Sequence, residues 1–201
     1  MTTTLNGQRA RTHTPVSPEP PIAGDEVSTL LGSLERQRAT FAWKIGDLDD
    51  EALDTRLGPS TMTLGGMVKH LAMVEDDVFT KALLGRPLPS PWDRVDWDGQ
   101  PDWEWRSAAA DTPERLLALW HDAVRRSRAA VDKALAAGGL DYAADVMFAD
   151  GAPSLRRLLV DMIEEYARHN GHADLLRESI DGRTGEDPPQ DFPGWPRPVD
   201  R

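Results

Sequence analysis

The chain is 201 residues long, with 34 acidic side chains against 23 Lys and Arg, a formal net charge of −11 and no cysteine. That length suits one domain with a sizeable core. The acidic residues are spread along the chain, which argues against a surface for DNA, RNA or anionic lipid, because such binding needs clustered Lys and Arg. Without cysteine there is no disulfide framework, no thiolate nucleophile and no thiolate metal ligand. The start of the chain is polar and carries Pro15, Pro18, Pro20 and Pro21 where a signal peptide would have an apolar core. No stretch approaches the roughly 20 apolar residues that span a bilayer, so the expected location is the cytoplasm.

Residues 1–24 are rich in Thr and Pro, lack periodicity and are expected to form a flexible leader. Leu30, Leu31, Leu34, Phe41 and Ile45 recur at near-helical spacing and predict a first helix from about Asp25 to Gly46. Asp47 to Pro59 reads as a polar connection with room for a short helical turn at Asp49–Leu53, and Pro59 bars any continuation. The second helix is expected from near Thr63 to near Leu84, with Met67, Leu71, Val74 and Val78 as its core stripe. Residues 85–110 form a long link holding Trp92, Trp97, Trp103 and Trp105, four of the seven tryptophans. This much aromatic surface is costly to leave wet, so the link is expected to pack over an open end of the helices. Thr112 as cap, Pro113 at the first position and Glu114 in the first turn start a third helix, which Gly138 and Gly139 end. After a loop from Leu140, Ser154 caps a fourth helix that runs to about Ile180, before Asp181-Gly182. The whole is predicted to be an all-α, up-down four-helix bundle over residues 25–186, with residues 187–201 a Pro-rich polar tail.

The fourth helix carries the informative segment, Asp161 to Asp174. Its core stripe is Leu155, Leu158, Leu159, Met162, Tyr166, Ala173 and Leu176, and His169 falls inside it. Glu165 and His172 fall to one side of that stripe, with Asp161 a little further round. Glu165 and His169 are four residues apart, which brings both side chains over one point where a divalent ion can take an imidazole nitrogen and a carboxylate oxygen. His70 lies beside the core stripe of the second helix and can supply a third donor from a facing helix, with Asp77 on the same side. The competing reading of Glu165 and His169 is a charged pair at the edge of the bundle. His13 and His121 read as incidental, the three core methionines as packing, and Gly65-Gly66 as a close-contact or capping feature. Arg168, Asp174, Arg177 and Glu178 read as a solvated, ion-paired face. The alternative is that Arg168 or Arg177 meets an anionic substrate at the mouth of the site.

The segment Glu164-Glu165-Tyr-Ala-Arg-His169-Asn-Gly-His172-Ala-Asp-Leu-Leu-Arg-Glu178 resembles the DinB-like superfamily. More narrowly, it resembles the actinobacterial branch related to the N-terminal domains of mycothiol-dependent maleylpyruvate isomerases. Thr63-Leu-Gly-Gly-Met-Val-Lys-His70-Leu-Ala-Met-Val-Glu75, the Asp111–Leu117 region and Ile180-Asp-Gly-Arg-Thr-Gly185 support the resemblance, which spans about 60–185. It implies a bundle that holds zinc or nickel through His70, Glu165 and His169, with His172 as a fourth ligand or an orienting neighbour. Many superfamily members have His in place of Glu165, whereas the maleylpyruvate isomerases are similar to this chain in using Glu. Relatives often carry His at the position of Asp161, where a carboxylate could still hydrogen-bond a ligand histidine. The chain is too short for the isomerases' additional C-terminal domain, so their particular reaction is not carried over. The resemblance implies a metal- and thiol-dependent transferase that joins mycothiol to a small electrophile, with Trp105 and Arg168 beside the cosubstrate. A metal-dependent hydrolase and a non-catalytic metal-binding stress or scaffold protein are the alternatives. The implied partners are a small-molecule substrate and a second copy of the chain, with neither nucleic acid nor membrane.

Overall fold

The computed structural model describes residues 19–147, 149 and 151–189. It is an all-α protein, and the described residues form six α-helices: α1 (Glu26–Ile45), α2 (Asp50–Leu53), α3 (Leu64–Glu75), α4 (Trp103–Ser107), α5 (Pro113–Gly138) and α6 (Leu155–Asp181). Among the described residues the only extended pairing is an isolated bridge between Ala143 and Ser154, and no helix is long and apolar enough to cross a membrane. The helix starts obey simple capping chemistry. Asp25, Asp49, Thr63, Thr112 and Ser154 each accept a hydrogen bond from a backbone N–H three residues on. At the other end of α6, Gly182 takes the left-handed conformation that a β-carbon would disfavour, and its N–H donates to the Glu178 carbonyl.

Helix α1 lies mainly against α6, and α3 mainly against α5. The core between them contains Phe41, Met67, Leu71, Trp120, Val124, Leu159, Met162 and Tyr166. Phe41 sets its ring edge-on to both Trp120 and Tyr166.

Helix α3 departs from its expected stripe. After Glu75 the chain continues as a π-helix, Asp76–Leu83. Beyond Glu75 the wider turn shifts which residues face inward. Val74 and Val78 are only half-buried, whereas Glu75, Asp76 and Phe79 are 0% exposed. Asp77, expected on the same side as His70, instead pairs with Lys81 at the surface.

Burying two carboxylates is tolerable only with full partnering. Glu75 accepts from Arg38 Nε at 2.8 Å, from Arg38 Nη2 at 2.7 Å and from Tyr166 Oη at 2.7 Å. Trp120 Nε1 in turn donates to Tyr166 Oη at 2.8 Å. Burial opposes the charge on Arg38, but Glu75 and Glu35 outweigh it and hold the guanidinium protonated. Burial likewise pushes the Tyr166 hydroxyl well above its ordinary pKa, so it stays a donor. Asp76 accepts from Arg126 Nε and Nη2 at 2.8 and 2.7 Å, and from Trp92 Nε1 at 2.9 Å.

The long link is more structured than a loop. It contains two single 3-10 turns, Trp92–Arg94 and Ala108–Ala110, with α4 between them. Trp103 meets Trp92 edge-on and lies under the Lys69 ammonium. Arg177, read from sequence as a surface charge, is 1% exposed. It donates to the Lys44 and Gly46 carbonyls and to Asp181, clasping the end of α1. Residues 1–18 of the expected leader and 190–201 of the expected tail, with His13, lie outside the described residues. Of the inner ends, Glu19 and Asp187 both pair with Arg36 on α1.

Removing one partner of the Arg38–Glu75 pair leaves an uncompensated buried charge. Arg38→Met should therefore lower the stability of the metal-free protein by about 3–5 kcal/mol. Arg38→Met combined with Glu75→Leu should recover most of that loss. Urea denaturation of the three proteins checks both, and a single-variant loss below about 1 kcal/mol would contradict the pairing argument.

Candidate metal centre

Two helices and the link build the site. Thr63 caps α3, and the helix carries His70 beside its buried face, between the core residues Met67 and Leu71. The paired glycines that open α3 serve close contacts. A β-carbon on Gly66 would lie 2.9 Å from Trp105 Cε3, and one on Gly65 would lie 3.2 Å from the Leu53 carbonyl. The space at Gly66 lets Trp105 of α4 lie over the helix and stack on His70, with ring centroids 4.6 Å apart and 26° between planes. Helix α6 carries Glu165 and, one turn on, His169, which is 6% exposed.

These three side chains converge. His70 Nε2 and His169 Nε2 each lie 3.1 Å from Glu165 Oε1. The ligand atoms of the three lie within 4.8 Å of one another. Two donors bound to one ion at about 2 Å each are separated by about 3 Å, so the spacing suits a shared ion. Two imidazole nitrogens and one carboxylate oxygen are a donor set for zinc, nickel or iron(II). The residues present therefore fit a divalent metal.

Electrostatics point the same way. The bonds to His169 and then His70 hold the Glu165 carboxyl far below the usual carboxylate range, against the opposing effect of its partial burial. His70 has a carboxylate at each ring nitrogen, because Glu104 Oε1 lies 3.2 Å from Nδ1. Burial lowers the His70 pKa, but the bonds to Glu104 and Glu165 prevail and the net shift is upward. A neutral imidazole can donate to only one of those carboxylates. The metal-free arrangement thus favours an imidazolium, and a bound dication would take the place of the Nε2 proton.

The other expected residues fall around this core. His172 is not among the converging ligands; its ring centroid lies 5.5 Å from that of His169. Burial first, and then the charges of His169 and Arg168, lower its pKa. Arg168 is exposed on α6. Asp161 accepts from Arg157 Nε at 2.6 Å, so its carboxylate has an arginine partner. His121 is exposed on α5. Glu104 is the contact that sequence reasoning missed. It lies 34 positions from His70, inside a segment read as a loop, and neither periodicity nor spacing connects the two.

Fold and site together define an all-α protein with a two-histidine, one-carboxylate candidate metal centre where α3 meets α6. The family model described as mycothiol-S-transferase matches residues 29–182, and the chain belongs to that family. This is a DinB-like family, in agreement with the motifs on α3 and α6. No curated protein matches the chain.

Metal uptake should carry the signature of a displaced proton. Below the raised folded pKa of His70, zinc affinity should climb by about tenfold per pH unit for one proton released, and then flatten. Competition with a chromophoric chelator between about pH 5.5 and 8 measures this, and a flat profile would contradict it. In the metal-free protein the sign is opposite. The raised His70 pKa stabilises the fold fully below the unfolded value of about 6.5, and that contribution is lost as pH rises through the folded value.

Proposed function

We propose that this chain is a divalent-metal-dependent S-transferase that joins a mycothiol-type thiol to a small electrophile. The observation that carries the reading is the convergence of His70 Nε2, Glu165 Oε1 and His169 Nε2 in a chain of the mycothiol-S-transferase family. In this reading the four long helical stretches form an up-down bundle, His70, Glu165 and His169 bind zinc or nickel, and the protein works in the cytoplasm, where thiols are kept reduced. When bound, the metal would favour the thiolate form of the cosubstrate at neutral pH.

The chain's own residues have separate tasks. The two imidazoles and the Glu165 carboxylate hold the centre at the rim of the core, where His70 and Glu165 stay partly exposed. Trp105 walls one side by covering the face of His70 and offers an apolar surface to the electrophile. His172, with its lowered pKa, is neutral at pH 7 and keeps a lone pair for the metal or for a proton. Arg168 supplies positive charge on the same stretch of α6 for polar groups of the thiol. In the transfer the thiol sulfur bonds to the electrophilic carbon, its proton leaves to base or water, and the leaving group departs with its electron pair.

Metal content of untagged protein, measured beside a His70→Ala, His169→Ala double variant, should give about one equivalent in the parent and none in the variant. Conjugation of mycothiol to 1-chloro-2,4-dinitrobenzene should then fall by on the order of 100-fold or more in the variant. Undiminished conjugation by the variant, or turnover that needs no thiol, would contradict the proposal.

A further inference from the structure

The link between α3 and α5 delivers one acidic side chain, Glu104, into the interior beside the candidate centre. Glu104 is 4% exposed. One oxygen, Oε1, faces His70 Nδ1 at 3.2 Å, and the other, Oε2, is buried with no hydrogen-bond partner among the described residues. A desolvated carboxylate with one unpartnered oxygen is a liability for folding. Apart from its contact with His70, stability of the fold therefore does not explain why it is there.

Its surroundings fix its position. Trp103 packs edge-on against the buried Trp92 and lies 4.4 Å beneath the Lys69 ammonium. Trp105 stacks on His70 and fills the space left by Gly66. The residues on both sides of Glu104 are thus anchored, and the five-residue helix α4 presents the carboxylate at one edge of the imidazole. Glu165 meets the other edge, at Nε2, and the His169 ring lies with its centroid 5.1 Å from that of His70. Glu104 approaches the Nδ1 edge and so cannot share an ion held at Nε2.

We propose that Glu104 is a positioning residue for the metal centre: it binds the Nδ1–H of His70, fixes the tautomer whose Nε2 lone pair faces Glu165 and His169, and, with the Trp105 stack, locks the ring in that orientation. The proposal rests on the reading of His70, Glu165 and His169 as ligands. It adds that the link, a part of the chain with no ligand of its own, sets the affinity of the site. A carboxylate behind a ligand imidazole makes it a better donor, and losing such a partner typically weakens metal binding about 10- to 100-fold. It also brings a second negative charge to a site that would otherwise leave a dication only partly neutralised.

The test compares the parent with Glu104→Gln and Glu104→Ala, using zinc itself as the probe. Zinc dissociation constants come from competition with a chromophoric chelator. Nitrogen-15 spectra of the imidazoles in the zinc-loaded proteins report the His70 tautomer, and thermal melts of the metal-free proteins report the fold. The expected result is a loss of about 10- to 100-fold in zinc affinity for Glu104→Ala. Glu104→Gln, whose amide oxygen can still accept from Nδ1–H, should fall between it and the parent. The His70 Nδ1–H signal should be sharp in the parent and exchange-broadened in the alanine variant, with little change in the metal-free melts. Affinities within twofold of the parent and an unchanged His70 signal would overturn the proposal while leaving the metal centre intact. Should the alanine variant fail to fold, Glu104→Gln decides: parent-like affinity and tautomer signal overturn the proposal, and a loss with an intact fold supports it. A parent that takes up no zinc overturns this inference together with the metal reading.

Discussion

The Glu75 carboxylate is the point on which the architecture turns. It lies at the end of α3 with no solvent exposure, bonded to Arg38 of α1 and to Tyr166 of α6, and Trp120 of α5 holds the tyrosine from the other side. One buried charge thereby ties all four long helices. Apolar packing alone is non-directional and would tolerate small slides of one helix along another. A carboxylate with two bonded partners does not, because any slide leaves a desolvated charge unpaired.

That constraint sets the position of the candidate centre. Tyr166 is the neighbour of Glu165 on α6, and Glu75 lies five residues beyond His70 on α3. The bond from Tyr166 to Glu75 therefore fixes the relative height of the two helices within a turn of the residues that would bind a metal. His70 and Glu165 come within hydrogen-bond distance as a consequence of that register. The network and the centre have opposite chemistry. The first is dry and closed. The second, at the rim, keeps Glu165 partly exposed, as a site open to an outside molecule requires.

Much of this was legible in the residue order. The starts of the third and fourth long helices followed from Thr112 and Ser154 as caps, those of the first two, near Asp25 and Thr63, from apolar spacing, and the ends near Gly138 and Gly182 from glycine. The His70, Glu165 and His169 group was legible because four-residue spacing on a helix is a local property, and because two stripes each placed a histidine at the core's edge. The failures share a cause. The π-helical continuation of α3 depends on partners for Glu75 and Asp76 that lie 37 and 50 residues away, and no periodicity reveals them. Arg177 looked like a surface charge because its acceptors are backbone carbonyls at the end of α1. Glu104 was hidden in a segment that looked like a loop, since a five-residue helix flanked by tryptophans has no stripe to read.

The proposed chemistry requires that a single divalent ion bind where α3 and α6 meet. A crystal structure of the zinc-loaded protein, with anomalous diffraction recorded across the zinc edge, tests it most directly. The expected result is one strong anomalous peak about 2 Å from His70 Nε2, Glu165 Oε1 and His169 Nε2, with Glu104 still at His70 Nδ1. A peak bonded to other side chains, or a fully loaded crystal in which His70 and Glu165 keep only each other, would contradict it.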